Sequence, residues 1–392
     1  HMARNLKKKG PVEIIYAERF LSSNEYGEKL PKFYKSLKVR ILKLFFKTKC
    51  IASLQSSSLQ EQHKLGINSS LQSITCDSLA SSAKYSSLYK TLVSRALGAD
   101  EIVQYLVGCN HQKKVFIFNG RTASSGPIVR ACTDNGIPLY YYEYASGCHG
   151  YRLFPFPPHN SKAIGRCLWE FRTHCIISVP QLFIKGKVFA KSKLHNEFTK
   201  RMNLEPEQKH DVIIFLGSDH EYTNIQEDIC NFSYIGNMRL VKKSYEKYEG
   251  KDLAVRAHPN QSNDPSHYRI LAEIKEFCED KKITFYGPES PVSSITLMKQ
   301  CDVVVVEYSS IAYDAIILGK EVDIFGDLDV KEIINLMPDE MKTDPARRSL
   351  EITQTLALME WLFVQKFNKL EYFICRILSL FEGRILKSHI WH

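Results

Sequence analysis

Two series of short apolar runs, each run separated from the next by a helix-length stretch, leave this chain few folds to choose from. In the first series Lys114-Val-Phe-Ile-Phe118 ends at Asn119-Gly120-Arg121, and residues 126–135 suit a helix that Gly136 stops. Ile137–Tyr142 ends at Glu143, and Cys175–Val179 is a further strand candidate. In the second series the runs are Asp211–Leu216, Leu253–Arg256, Lys282–Tyr286, Asp302–Val306 and Glu321–Phe325. Helices are expected near 266–278 and over 310–318, the latter closed by Gly319. Strands alternating with helices in short units build βαβ crossovers and a parallel sheet. The expectation is an α/β protein of two Rossmann-like domains, with a linker around Glu205-Pro206-Glu207. The boundaries expected are 3–204, 205–350 and a C-terminal helical part over 351–392. Val12–Tyr16 reads as a short first strand, and the Ser-rich stretch Ser53–Ser87 as loop with short helices.

Length and composition narrow the functional classes. At 392 residues two domains are expected, and 44% hydrophobic with 24% charged residues excludes wholesale disorder. No apolar run reaches the roughly 18 residues of a membrane helix, and no apolar core of a secretory signal follows the basic start. The 11 Cys include no C-x-x-C pair, which fits reduced thiols in a cytoplasm. The 13 His show no H-E-x-x-H or other metal-ligand spacing, so no metal or other cofactor is expected. G-x-G-x-x-G, the P-loop and G-x-S-x-G are absent, against a dinucleotide enzyme, a P-loop NTPase and a serine hydrolase.

The net charge of +10 suggests an anionic partner. Nucleic acid is not expected, because no recognition signature accompanies the charge. Lys35–Lys49 is basic without an acid, and apolar residues recur at helical spacing from Phe363 to Phe381. Two such basic, amphipathic segments suit either packing on the protein or a peripheral hold on the inner face of the cytoplasmic membrane.

In open parallel sheets ligands sit beyond the C-terminal strand ends, so the polar residues there are the site candidates. His258-Pro259-Asn260 follows one strand, and a His on a Pro-fixed turn can donate to phosphate or simply occupy a surface loop. Ser309 and Ser310 stand where a strand becomes a helix, as caps or as phosphate donors. Asp219 and Glu221 follow another strand, as helix caps or as a nucleophile or base at an electrophilic carbon. Glu143 has the same two readings. Asn119, Gly120 and Arg121 end a strand where Gly permits close approach and Arg offers a fork for carboxylate or phosphate. Glu289 and Ser290 complete the set.

The order of Phe-Asn-Gly-Arg (118–121), Gly-Ser-Asp-His-Glu (217–221), Arg-Ala-His-Pro-Asn (256–260) and Glu-Tyr-Ser-Ser-Ile-Ala-Tyr-Asp-Ala (307–315) with Gly319-Lys320 resembles the bacterial capsule polysaccharide synthesis family. Within it the chain resembles the retaining β-Kdo glycosyltransferases of capsule and O-antigen (lipopolysaccharide) assembly. The His-Pro and Ser-Ser pair is also similar to that of bacterial sialyltransferases. The resemblance spans roughly residues 110–325. It implies a GT-B architecture, two Rossmann-like domains facing a cleft with a C-terminal amphipathic helix, and a metal-independent transfer from a CMP-sugar such as CMP-β-Kdo to a saccharide or lipid-linked saccharide acceptor. It implies that His258, Ser309 and Ser310 hold the CMP phosphate, that the loop Gly287–Ser290, with Glu289, lines the cytidine, and that Arg256 and Asn260 also bind substrate. Arg121 would pair with the ulosonate carboxylate, Asn119 and Gly120 would also bind substrate, Asp219 or Glu221 would be the nucleophile, and Glu143 the acid or base. A UDP- or GDP-sugar, another CMP-nonulosonate, or a GT-B UDP-sugar epimerase activity are the alternatives.

Overall fold

The computed structural model describes residues 13–17, 47–51, 61–75, 80–108, 114–144, 150–174, 208–222, 225, 233–262 and 269–366. The expected strand Cys175–Val179, the linker at 205–207, most of the basic segment from Lys35 and the chain from 367 onward lie outside them. The chain divides into two compact units, one of residues 1–67, 87–158 and 361–392, the other of 68–86 and 159–360.

Unit 1 begins with β1 (Glu13–Ala17) and β2 (Lys47–Ile51), a separate parallel pair. Helix α1 (Glu61–Thr75) starts in it, and most of α2 (Ser86–Val107) belongs to it. At 15 residues α1 is longer than the short helices expected within the loop across Ser53–Ser87. Ile67 and Leu71, one turn apart, are fully buried, and burial of an apolar stripe outweighs the modest helix propensity of its serines. Then come β3 (Val115–Phe118), α3 (Gly126–Asp134), β4 (Leu139–Tyr144) and β5 (Gly150–Phe154). β3 and β4 are parallel across α3, as expected, whereas β5 returns antiparallel to β4. Only residues 145–149 join them, and a parallel crossover takes about a dozen residues or more. Ile117 and Tyr141 point inward with Ile128, Val129 and Cys132 of α3. The alternate face carries ring pairs, Phe116 with Tyr140 and Phe118 with Tyr142, as the period of two requires.

Unit 2 takes in residues 68–86 and, from 159 onward, α4 (Ser161–His174), β6 (His210–Phe215), α5 (Asp219–Tyr222), α6 (Asn237–Lys247), β7 (Leu253–Arg256) and a single 3₁₀ turn, Pro259–Ser262. It continues with α7 (Arg269–Asp280), β8 (Thr284–Tyr286), α8 (Ser294–Lys299), β9 (Cys301–Val306), α9 (Ile311–Ile317) and β10 (Glu321–Ile324). The helices α10 (Asp329–Leu336), α11 (Asp339–Thr343) and α12 (Pro345–Phe363) follow, and β11 (Val364–Lys366) pairs antiparallel with β5 back in unit 1. Side-chain pairs fasten α4 within unit 2: Arg166 to Glu332 at 3.2 Å, and Arg172 to Glu351 at 3.1 Å.

The five strands of unit 2 are all parallel, in the order β10-β9-β6-β7-β8. Central strands covered on both faces need continuous apolar sequence, and Val212–Phe215 and Val304–Val306 are buried throughout. Val212, Ile214, Val255 and Val305 face Leu240 and Val241 of α6 and Ile274 and Cys278 of α7. Ile213, Ala254 and Val304 point the other way and are also fully buried, with α8 and α9 against β9. Each such Val or Ile contributes roughly 1.5–3 kcal/mol relative to exposure. Numbered within the unit, the strand order is 3-2-1-4-5 read from the β8 edge, the Rossmann arrangement, and the winding reverses between β6 and β9.

Among the described residues no helix is long and apolar enough to cross a membrane.

Candidate active site

The winding reverses between β6 and β9, and the C-terminal ends of strands at such a reversal are where sheets of this kind receive ligands. β6 runs out into Gly217-Ser218-Asp219, and β9 into Glu307-Tyr308-Ser309. Both carboxylates are nearly inaccessible, Asp219 at 7% exposed and Glu307 at 3%. Such burial is tolerated only with partners, and the segment Ser233–Asn237 supplies them. The Tyr234 hydroxyl donates to Asp219 Oδ1, and the Asn237 backbone N–H approaches the same oxygen at 3.4 Å. Glu307 Oε1 accepts the N–H of Ile235, and Oε2 that of Gly236 at 3.1 Å. Gly236 has φ 88° and ψ 150°, a region essentially closed to residues with a Cβ, and there the two consecutive N–H groups reach one carboxylate.

Burial raises the Asp219 carboxyl above its ordinary 3.8, opposed by the bonds from Tyr234 and Asn237. Burial likewise lifts Glu307 from 4.5 to about 7, against the two backbone donors, with the Asp219 charge adding to the rise and Lys243 opposing it. Tyr234 is held protonated far above the usual tyrosine range by its burial and by Asp219. Tyr222, Tyr234 and Tyr308 form an aromatic wall, with centroids 5.4 Å apart for Tyr222 and Tyr308 and 5.5 Å for Tyr222 and Tyr234. The Tyr308 hydroxyl donates to the Ser233 carbonyl at 2.6 Å and accepts the Asp327 N–H at 2.9 Å.

β7, beside β6, brings His258 to the same edge. Its Nδ1 lies 3.2 Å from Ser218 Oγ, and its backbone N–H donates to Gln261 Oε1 at 2.8 Å. The ring is thereby oriented by a hydroxyl next to Asp219. Arg256 is only 1% exposed and donates from Nη1 to the Gly287 carbonyl and from Nη2 to that of Ser290 at 3.4 Å. It therefore shapes the loop expected to line the cytidine from behind. Gly287 and Ser290 are half-buried and Glu289 is exposed. Ser309 Oγ accepts the Ile311 N–H at 3.3 Å, just ahead of the α9 N-cap Ser310, which is exposed. The backbones of Glu221 and Asn260 lie in α5 and the 3₁₀ turn, and their side chains fall outside the described set.

In unit 1 the expected group at the ends of β3 and β4 is also assembled. The Asn119 amide donates to Glu143 Oε1, and the Asn119 N–H to the Tyr142 carbonyl at 3.0 Å. Gly120, at φ 93°, presses against the Tyr141 ring, where a Cβ would come within 2.7 Å of it. Arg121 follows, half-buried.

Sequence reasoning thus placed Asp219, Ser218 and His258 at one edge, with Ser309 and Ser310 at the end of the same sheet's β9. It gave no role to Tyr234, Asn237 or Glu307. Of these only Glu307 had a local signal, an acid directly after the most apolar strand. Among the described residues no three His, Cys, Asp or Glu side chains gather as a metal site.

Compared with solved structures, the chain is similar to two KpsC proteins of Thermosulfurimonas dismutans. The β-Kdo 2,7 transferase shares 14% identity at a TM-score of 0.47, over 92% of this chain and 94% of that one. The β-Kdo 2,4 transferase shares 12% at 0.40, over 62% and 78%. The UDP-GlcNAc 2-epimerase of Methanocaldococcus jannaschii, in complex with UDP-GlcNAc and UDP, shares 12% at 0.26, over 94% and 99%. No family model and no curated protein matches this chain.

Proposed function

We propose that the chain is a glycosyltransferase that takes its sugar from a nucleotide donor, and within that class from a CMP-activated 3-deoxy-ulosonic acid such as Kdo, for delivery to a saccharide. The observation that carries the reading is the buried Asp219 carboxylate at the winding reversal, fixed by Tyr234 and Asn237 and flanked by the Ser218–His258 pair. A carboxylate beside hydroxyl and imidazole groups at such a strand edge suits cleavage of a bond between an anomeric carbon and a phosphate. The sequence resemblance supplies the donor class.

In the proposed reaction Asp219 attacks the anomeric carbon, the carbon–oxygen bond to phosphate breaks, and CMP leaves with the bonding pair. His258, Ser309 and Ser310 are the groups assigned to the departing phosphate. An acceptor hydroxyl then displaces Asp219, losing its proton to a base, and the second inversion restores the original configuration. Tyr234 and Asn237 keep the carboxylate oriented and oppose the effect of burial on its ionisation. The role of Glu143 as acid or base toward the acceptor rests on the resemblance alone. Transfer is proposed to need no metal, so EDTA leaves the rate unchanged.

The deciding experiment compares CMP and UDP in thermal shift, since a ligand of the native state alone raises its melting temperature. CMP is expected to raise it and UDP not. Equal shifts would remove the CMP assignment, and a UDP-only shift with donor converted in the absence of acceptor would favour epimerisation. Retention is read from the product's anomeric configuration by NMR.

A further inference from the structure

We propose that Glu307 is a positioning residue for Asp219, holding the backbone of Ser233–Asn237 so that Tyr234 and Asn237 meet the reacting carboxylate. The inference rests on the reading of Asp219 as that carboxylate.

Four links to the strand ends tie down this short segment. Ser233 is held through its carbonyl by the Tyr308 hydroxyl. Ile235 and Gly236 are held through their N–H groups by the two oxygens of Glu307. Asn237 is held through its side chain by Gly217. Two of the anchors, Glu307 and Tyr308, leave β9 consecutively, and the third leaves β6, so the segment bridges the two sides of the winding reversal. Tyr234 sits between the anchored residues, and its hydroxyl reaches Asp219.

The chemistry of the anchor is selective. Converging backbone N–H groups can be met by two acceptor oxygens on one planar group, which a carboxylate has and an amide lacks. An unmet donor at these half-buried positions costs free energy, so the segment relaxes when one oxygen is removed. Gly236 makes the convergence possible from the other side, because its backbone lies where a Cβ is not tolerated. In its ionised, two-acceptor form Glu307 also carries a charge that interacts with that of Asp219. Its effect on the reaction is thus exerted through Asp219, with no contact to substrate required.

The test compares Glu307→Gln, Glu307→Asp and Gly236→Ala with the unaltered full chain. The readouts are hydrogen exchange across 233–237, CMP affinity by calorimetry, and turnover of a CMP-ulosonate donor. In Glu307→Gln, exchange of the 235 and 236 amides is expected to accelerate at least tenfold. Turnover should fall by ten- to a hundredfold while the CMP dissociation constant stays within about threefold. Glu307→Asp, which keeps both acceptor oxygens, should recover part of the turnover. Gly236→Ala attacks the same link from the backbone and should reproduce the Gln variant, which keeps the idea open to refutation if the Gln variant does not fold. Unchanged exchange in both Glu307→Gln and Gly236→Ala overturns the proposal, as does a loss confined to CMP affinity. If the unaltered chain neither binds CMP nor turns over a CMP donor, the functional reading fails while the exchange measurement still decides whether Glu307 holds the segment.

Discussion

Asn237 is fastened to Gly217 at both ends of its amide: Oδ1 accepts the Gly217 N–H and Nδ2 donates to the Gly217 carbonyl, each at 3.0 Å. The pair copies one rung of a strand ladder with a side chain, extending β6 beyond its last backbone partner. The Asn237 main-chain N–H meanwhile approaches Asp219. One residue thus sets both the strand exit and the carboxylate that follows it.

Asn237→Asp should therefore be far more harmful than its size suggests. The new oxygen would face the Gly217 carbonyl, acceptor against acceptor, and add a charge near Asp219. A loss on the order of 2–4 kcal/mol is expected, since a buried donor–acceptor pair is replaced by a repulsive one. Urea denaturation of the two proteins measures it, and a difference below about 0.5 kcal/mol would contradict the assignment.

Stability should fall as pH rises through neutrality, and Glu307 should be a main cause. Its pKa is raised from 4.5 to about 7. The folded state therefore favours the protonated form, and the contribution is fully present below about pH 4.5 and lost as pH climbs through about 7. Asp219 acts in the same direction, its pKa also being raised by burial. Melting temperatures from pH 5 to 8.5 should decline by several degrees in the unaltered chain, and the decline should be shallower in Glu307→Gln. Parallel profiles in the two proteins would show that Glu307 does not titrate in that window.

The Arg256 guanidinium is committed to the Gly287 and Ser290 carbonyls, which makes it a support of the loop between β8 and α8. Arg256→Met should cost about 3 kcal/mol, the scale of two hydrogen bonds from a charged donor. Selectivity between CMP and UDP should also weaken, because the loop expected against the base loses its backing. Denaturation and competitive nucleotide binding check the two halves separately. Full stability with altered affinity would place Arg256 on the ligand itself.

His258 lies past the end of β7, half-buried, so truncating it opens no core cavity. His258→Ala is expected to shift the melting temperature by no more than a few degrees while donor turnover falls at least tenfold. A large thermal loss with turnover intact would make it a structural link to Ser218.

The strands of unit 2 were legible because each is an apolar run buried on both faces, bounded by polar residues. Leu253–Arg256 coincides with β7, and the runs over Asp211–Leu216 and Asp302–Val306 match β6 and β9 to within one residue at each end. Asp219 was legible for the same reason, as the carboxylate that directly follows such a run. Tyr234 was not, since its meaning comes from a partner 15 residues away, in a segment without periodicity. Glu307 depends on bonds to residues 71 and 72 positions earlier in the chain, and no local pattern records those. Helix α1 was hidden by its serines, whose weak propensity masks the buried pair Ile67 and Leu71.

Asp219→Asn tests the proposed reacting group with the least disturbance. The amide keeps an oxygen for the Tyr234 hydroxyl and the Asn237 N–H, and it removes a carboxylate whose pKa is raised by burial. A raised carboxylate pKa means that the ionised form weakens the fold at neutral pH. The variant should therefore melt no lower than the unaltered chain at pH 8, and by this sign somewhat higher. Chemistry should respond in the opposite sense, because an amide cannot form the bond to the anomeric carbon. Turnover should drop by several powers of ten with CMP affinity nearly unchanged. Intact-protein mass after incubation with donor alone should show one added sugar residue on the unaltered chain and none on the variant. Substantial activity in Asp219→Asn, or a product of inverted configuration, would move the reaction to direct displacement and leave Asp219 as an electrostatic stabiliser of the positive charge that develops on the sugar.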